Sequence, residues 1–100
     1  MIFIYNINFL ELLEFQKKGA LLIDLRSYND FINFHIPNSQ HIHFFQNFPK
    51  NKMIIFICEH GQKAKEYAYY YRNYHVDCYY LEGGIAMYSV NKETGKLFLL

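Results

Sequence analysis

A chain of 100 residues is the size of one domain, and with 52% hydrophobic and 20% aromatic residues it is not expected to be disordered. The 10 Lys and Arg residues against 9 Asp and Glu residues give a formal net charge of +1, which provides no basic surface for nucleic acid. The apolar runs are too short to cross a bilayer, and residues 1–10 lack the basic segment and cleavage site of a signal peptide, so we expect a cytoplasmic protein that binds no membrane.

Short apolar segments alternate with helix-like segments along the chain, which is typical of a parallel sheet covered by helices. The pattern predicts five strands, over residues 2–5, 20–25, 40–42, 53–57 and 76–81. It predicts helices over residues 9–17, 28–33, 44–48 and 64–74, and the start of a last helix at 85–88. The strands at 20–25 and 53–57 are apolar without interruption, so both are expected to lie inside the sheet.

Caps and residue spacing indicate where the helices begin and which side chains they bury. The first helix can be capped by Asn6 or Asn8, and its Leu10 and Leu13 fall at helical spacing. Ser27 is a candidate cap for the second helix. The helix at 64–74 has a predicted buried stripe at Ala64, Tyr67, Ala68 and Tyr71. Beyond residue 88 only a turn at 92–96 and an apolar end at 97–100 are predicted.

The residues that can carry chemistry follow the strand at 53–57. This strand leads directly into Cys58, and the next helix begins a few residues later. Sites in open parallel sheets form at the carboxyl ends of strands, and a loop entering a helix there directs backbone N–H groups inward. Such a loop stabilises a thiolate, Gly61 lets the backbone approach an anion, and Lys63 can add a positive charge. The thiolate could attack a sulfane sulfur or a phosphate or arsenate ester.

Several of these residues also have a purely structural interpretation. Cys58 could be a small apolar residue at a strand end, and Lys63 an ordinary surface lysine in the first turn of a helix. Cys78 lies within a predicted strand and is expected to be core. His60 could assist proton transfer or could simply be solvated, and His35 is expected to hydrogen-bond the turn at 35–39. His41 and His43 alternate along a strand and predict an exposed face, because no third residue completes a metal site.

Four segments resemble motifs of rhodanese-like domains. Leu22-Ile23-Asp24-Leu25-Arg26 is similar to the family's LIDVR, and the segment at 35–39, HIPNS, is similar to HIPGA. Residues 58–63, CEHGQK, resemble the six-residue active-site loop, and residues 80–85, YLEGGI, resemble the LEGG ending. The four occur in family order at similar spacing and cover about residues 4–88. Each motif is weak alone, and together they identify the chain as similar to this family.

This resemblance implies one rhodanese-like domain over residues 1–100, an α/β fold with an open five-stranded parallel sheet and helices on both faces. It implies a sulfurtransferase that moves sulfur from thiosulfate or a protein persulfide to a thiol or other nucleophile through a persulfide on Cys58. Asp24 and Arg26 would be structural supports, and no cofactor or metal is implied. The anion-binding loop would consist of Glu59, His60, Gly61, Gln62 and Lys63.

Loop length separates this chemistry from that of the related phosphatases and arsenate reductases. Those enzymes use a Cys-x5-Arg loop whose arginine holds a tetrahedral oxyanion with two hydrogen bonds. Here the basic residue is Lys63 and the loop is one residue shorter, which disfavours a phosphate. Lys63 in place of Arg and the negative charge of Glu59 are departures from the family pattern. They favour a protein persulfide as donor, or a catalytically weak binding or sulfur-relay module.

Overall fold

The computed structural model describes residues 5–91 and 93–100. Its main sheet has five strands, all parallel, in the spatial order β1-β5-β4-β2-β3. The strands are β1 Asn6–Ile7, β2 Leu21–Asp24, β3 Gln40–His41, β4 Ile54–Ile57 and β5 Cys78–Leu81. The helices are α1 Phe9–Lys17, α2 Tyr28–Asn33 and α3 Gln62–Arg72. The predicted parallel α/β fold is therefore confirmed.

The centre of the sheet is β4, which has β2 on one side and β5 on the other. All four of its side chains are fully buried, as the uninterrupted apolar run predicts for a strand with both faces covered. The two faces are covered by different helices. Leu12 of α1 packs with Ile55 and Ile57 on one face, and Ala64 and Ala68 of α3 pack with Phe56 on the other. The prediction of helices on both faces is thus confirmed.

Helix α1 begins at the predicted residue but buries a different side. Asn8 caps it in a capping box, in which the Asn8 side chain accepts from the Glu11 N–H and Glu11 accepts from the Asn8 N–H. The buried side chain is Leu12, whereas Leu10 is 71% exposed and Leu13 is also exposed. The helical spacing of Leu10 and Leu13 thus does not mark the buried side of α1, because three nearby leucines fit helical spacing in more than one way.

Other boundaries differ where the chain makes short turns. Residues 42–44 form a 3-10 turn in place of the helix predicted at 44–48, and residues 85–87 form a second 3-10 turn. A two-stranded antiparallel hairpin of β6 Tyr88–Val90 and β7 Leu97–Leu99 follows, which the sequence did not predict. The first strand lies at 6–7, and residues 2–4 of the strand predicted at 2–5 are outside the described residues.

No helix formed by the described residues combines the length and apolar character needed to cross a bilayer.

Replacing Leu12 by Ala should lower the free energy of unfolding by about 2–5 kcal/mol, because it removes a fully buried side chain from the core. Leu10→Ala, two residues away in the same helix, should change it by less than about 0.5 kcal/mol because that side chain is exposed. Urea unfolding followed by circular dichroism measures both. Equal losses for the two variants would contradict the observed orientation of α1.

Candidate active site

Cys58 is the first residue after β4 and lies at the carboxyl edge of the sheet, next to the end of β2. Its side chain is buried, with 5% of the residue exposed, at the bottom of an open pocket of about 330 Å³. Three segments form this pocket: the residues after β2, the start of α2, and the loop from Cys58 into α3. The lining residues are Leu25, Arg26, Ser27, Asp30, Cys58, Glu59, His60, Gln62 and Lys63.

Two backbone N–H groups converge on the sulfur of Cys58. The N–H of Gly61 lies 3.1 Å from Sγ, and the N–H of Ala64 lies 3.2 Å from Sγ. The turn that makes this possible occurs at Gly61, whose φ of +95° is in the left-handed region that glycine adopts without strain. Gly61 also caps α3, so the sulfur sits at the positive end of the helix. Hydrogen bonds and this dipole both favour a negatively charged sulfur.

The structure partly changes the predicted anion-binding loop. Helix α3 begins at Gln62 instead of at 64, so Gln62 and Lys63 belong to its first turn. Of the predicted loop residues 59–63, Gly61 supplies an N–H to the sulfur, and the second N–H comes from Ala64, which the prediction left out. Glu59, His60 and Gln62 are exposed and line the pocket.

Lys63 lies at the rim of the same pocket. Its Nζ donates a 3.4 Å hydrogen bond to the carbonyl oxygen of Leu25, at the end of β2, and stands 6.0 Å from the centre of the Tyr67 ring. The lysine therefore bridges α3 and the end of β2 across the pocket. Lys63 and Cys58 line the same pocket.

Asp24 and Arg26 form a buried ion pair beneath the pocket. The Arg26 Nε lies 3.1 Å and 3.2 Å from the two carboxylate oxygens of Asp24, and Nη2 lies 2.9 Å from one of them. Nη2 also donates to the Phe34 carbonyl oxygen, and Nη1 is 3.7 Å from a carboxylate oxygen of Glu59. The pair thus ties the end of β2 to the end of α2, and Arg26 also reaches the loop after Cys58.

Two of the histidines have roles that the sequence did not predict. His41 is buried, not on an exposed face: its Nε2 donates to the Arg26 carbonyl oxygen at 2.6 Å and its Nδ1 accepts from the His43 N–H at 3.1 Å. This pattern places the proton on Nε2. His35 donates from Nδ1 to the Phe31 carbonyl oxygen at 2.7 Å, so it bonds α2 and not the turn at 35–39.

Main-chain contacts from the far side of the loop hold it in place. The N–H groups of Ile85 and Ala86 donate to the carbonyl oxygens of Cys58 and Glu59, at 2.8 Å and 2.9 Å. Gly84 packs so closely that an added Cβ would lie 2.4 Å from the Glu59 carbonyl oxygen. The sequence did not predict this contact, although the glycine pair at 83–84 was a signal for a close approach of the backbone.

Cys78 differs chemically from Cys58. It is fully buried in β5, and its thiol donates to the Ala68 carbonyl oxygen at 3.3 Å. Burial raises the pKa of the Cys78 thiol from 9.0 to about 11. Cys78 pairs with Ile54, and Cys58 lies four residues further along the chain, just beyond the end of β4. At about 3.3 Å per residue the two cysteines are about 13 Å apart, too far for a disulfide, and both are free.

Comparisons with known proteins agree with the motifs. A family model described as Rhodanese-like domain matches residues 9–90. A rhodanese-related protein from Thermoplasma volcanium has a similar fold at 22% identity and a TM-score of 0.72, with 95% of this chain and 98% of that chain covered. No protein with a curated description matches the sequence.

Two larger proteins contain a similar fold as one part. Reduced CoADR-RHD of Bacillus anthracis matches at 20% identity and a TM-score of 0.73, covering 82% of this chain and 16% of that chain. A NAD-dependent persulfide reductase from A. fulgidus matches at 24% identity and a TM-score of 0.63, covering 83% of this chain and 15% of that chain. The chain therefore spans about a sixth of each of these two proteins.

Gly84→Ala should destabilise the protein and displace the loop that holds Cys58, because its Cβ would meet two carbonyl oxygens at 2.4 Å and 2.6 Å. Gly95→Ala is the matched control, since Gly95 also has a positive φ but has open space around it. We expect Gly84→Ala to lose about 1–3 kcal/mol more than the control in urea unfolding. Equal losses of unfolding free energy in the two variants would mean that the positive φ alone requires glycine at position 84, and that contact with the loop does not.

Iodoacetamide should alkylate Cys58 and spare Cys78 in the folded protein between pH 7 and about pH 9. The Cys78 thiol stays protonated over this range because its pKa is about 11, and it has no access to solvent. Peptide mass mapping after brief alkylation measures the two sites separately. In urea both cysteines should react, and equal labelling in the folded protein would contradict the assignment.

Proposed function

The chain belongs to the family of rhodanese-like domains, and on this premise we propose that it is a sulfurtransferase in which Cys58 receives a sulfane sulfur and passes it on. The donor would be thiosulfate or a persulfide carried by a protein, and the acceptor a thiol. Such a thiol nucleophile is suited to a reducing compartment, and on that ground we expect the activity in the cytoplasm.

One observation carries this proposal: the N–H groups of Gly61 and Ala64 converge on the sulfur of Cys58. A thiolate needs hydrogen-bond donors that hold its charge before it reacts, and a persulfide needs donors that hold the charge afterwards. The same two N–H groups at the start of α3 suit both states, because they are main-chain groups and cannot lose their protons at neutral pH. The pocket above the sulfur leaves room for the added atom and the donor.

In the first step the Cys58 thiolate attacks the outer sulfur of the donor. With thiosulfate a new S–S bond forms, the S–S bond of the donor breaks, and sulfite leaves with the bonding electron pair. In the second step an acceptor thiolate attacks the outer sulfur of the Cys58 persulfide, and Cys58 leaves as a thiolate again. Each step exchanges one S–S bond for another, so neither step needs a redox cofactor.

A second function, a sulfur-relay or binding module with weak turnover, has one observation in its favour. The carboxylate of Glu59 lines the pocket beside the nucleophile and faces Arg26 at 3.7 Å, so a cation that could bind a substrate anion is already paired. Pull-down of one specific partner by Cys58→Ser as strongly as by wild type would favour this function.

A phosphatase activity is disfavoured, because the short loop directs its N–H groups at Sγ and Lys63 cannot form the two parallel hydrogen bonds of an arginine.

Incubation with thiosulfate or with a small-molecule persulfide should add one sulfur atom to the protein, detected by intact mass spectrometry. Cys58→Ser should gain none, because its hydroxyl is not a nucleophile for sulfane sulfur. Cys78→Ser is the matched control and should gain sulfur as wild type does. Absence of an added sulfur on wild type from every sulfane donor tried would overturn the proposed function.

A further inference from the structure

Four charged side chains line the pocket above Cys58. Arg26 and Lys63 are positive, and Asp30 and Glu59 are negative. A fifth charge, the carboxylate of Asp24, is buried directly against Arg26. Counted together, these two positive and three negative groups leave the pocket without an excess of positive charge.

Arg26 is not available to bind an anionic substrate. Its Nε and Nη2 are used by Asp24 and by the Phe34 carbonyl oxygen, and Nη1 faces the Glu59 carboxylate at 3.7 Å. The Asp24 carboxylate is fully buried and the Arg26 side chain is 9% exposed, so little solvent reaches this ion pair. The remaining nitrogen of the guanidinium, Nη1, therefore faces the Glu59 carboxylate.

Lys63 is the remaining cation of the pocket. None of the ion pairs formed by residues 5–91 and 93–100 includes it. Its Nζ donates a 3.4 Å hydrogen bond to a carbonyl oxygen and stands 6.0 Å from the centre of the Tyr67 ring. One lysine balances at most one negative charge of an incoming donor. A dianion would in addition meet the carboxylates of Glu59 and Asp30 in the same pocket.

We propose that Glu59, assisted by Asp30, makes this site select a sulfur donor of low negative charge, an alkyl persulfide in preference to the dianion thiosulfate. This inference rests on the proposed function and names its donor class. The two N–H groups on Cys58 stabilise the reacting sulfur, and the carboxylates of the pocket repel a second strongly charged group. Glu59 thus acts as a specificity residue beside the nucleophile.

The preferred reaction is balanced without any further reagent. The Cys58 thiolate attacks the outer sulfur of a persulfide R–S–SH, the S–S bond of the donor breaks, and R–S⁻ leaves. Cys58 becomes Cys58–S–SH, so one negative charge enters the reaction and one leaves it. Thiosulfate, in contrast, brings two negative charges to Cys58, and the sulfite that leaves also carries two.

The test measures the rate at which Cys58 gains sulfur from three donors that differ in charge: thiosulfate, the persulfide of 3-mercaptopropionate and the persulfide of cysteamine. Glu59→Gln keeps the shape of the side chain and removes its charge. It should raise the rate with thiosulfate by about fivefold and with the mercaptopropionate persulfide by about twofold, given screened interactions between charges a few ångströms apart. With the cysteamine persulfide, whose R–S–SH form carries only the positive ammonium group, it should give no increase.

Asp30→Asn removes a carboxylate carried by α2. It too should raise the rate most with thiosulfate, less with the mercaptopropionate persulfide and not at all with the cysteamine persulfide. Glu14→Gln on α1 removes an exposed carboxylate away from the pocket and should leave all three rates unchanged. Added salt should raise the wild-type rate with thiosulfate more than that of Glu59→Gln, because it screens the repulsion that the variant lacks.

The results separate the two proposals. If wild type gains sulfur from the donors but Glu59→Gln changes all three rates equally or not at all, the charge selection is wrong and the sulfurtransferase proposal stands. If wild type gains sulfur from none of the three donors, the proposed function itself fails, and the inference fails with it.

Discussion

The arrangement of this protein depends on two hydrogen bonds from the main chain to one sulfur atom. The N–H groups of Gly61 and Ala64 can both reach the Cys58 sulfur because β4 ends one residue before it and α3 begins four residues after it. The left-handed conformation of Gly61, the residue that caps α3, makes this short connection. The site is therefore a property of the backbone path between β4 and α3, and the side chains around it determine what can approach.

Contacts from distant parts of the sequence hold this short path in place. On one side, the N–H groups of Ile85 and Ala86 bind the carbonyl oxygens of Cys58 and Glu59, where Gly84 permits a close approach. On the other side, the buried pair of Asp24 and Arg26 connects the end of β2 with the end of α2 and with Glu59. Two of the motif segments, at 22–26 and 80–85, thus contact the loop that begins at Cys58 although they lie far from it in sequence.

The sheet and the place of Cys58 directly after its central strand could be predicted from the sequence, because both depend on local patterns. The apolar runs of β2 and β4 predict buried parallel strands, and Asn8 and Ser27 each occupy the predicted cap position. The start of α3 was less predictable, because Gly61 caps it without a side-chain hydrogen bond. The burial of His41 could not be predicted either, since its partner is a carbonyl oxygen of Arg26, brought near only by the pairing of β2 with β3.

The most direct test of this account is to record the amide resonances of the protein by nuclear magnetic resonance before and after Cys58 is converted to a persulfide. If the two N–H groups hold the negative charge on sulfur, the amide protons of Gly61 and Ala64 should shift more than those elsewhere in the loop and in α3. Unchanged resonances at both residues in protein that has gained a sulfur at Cys58 would contradict the account.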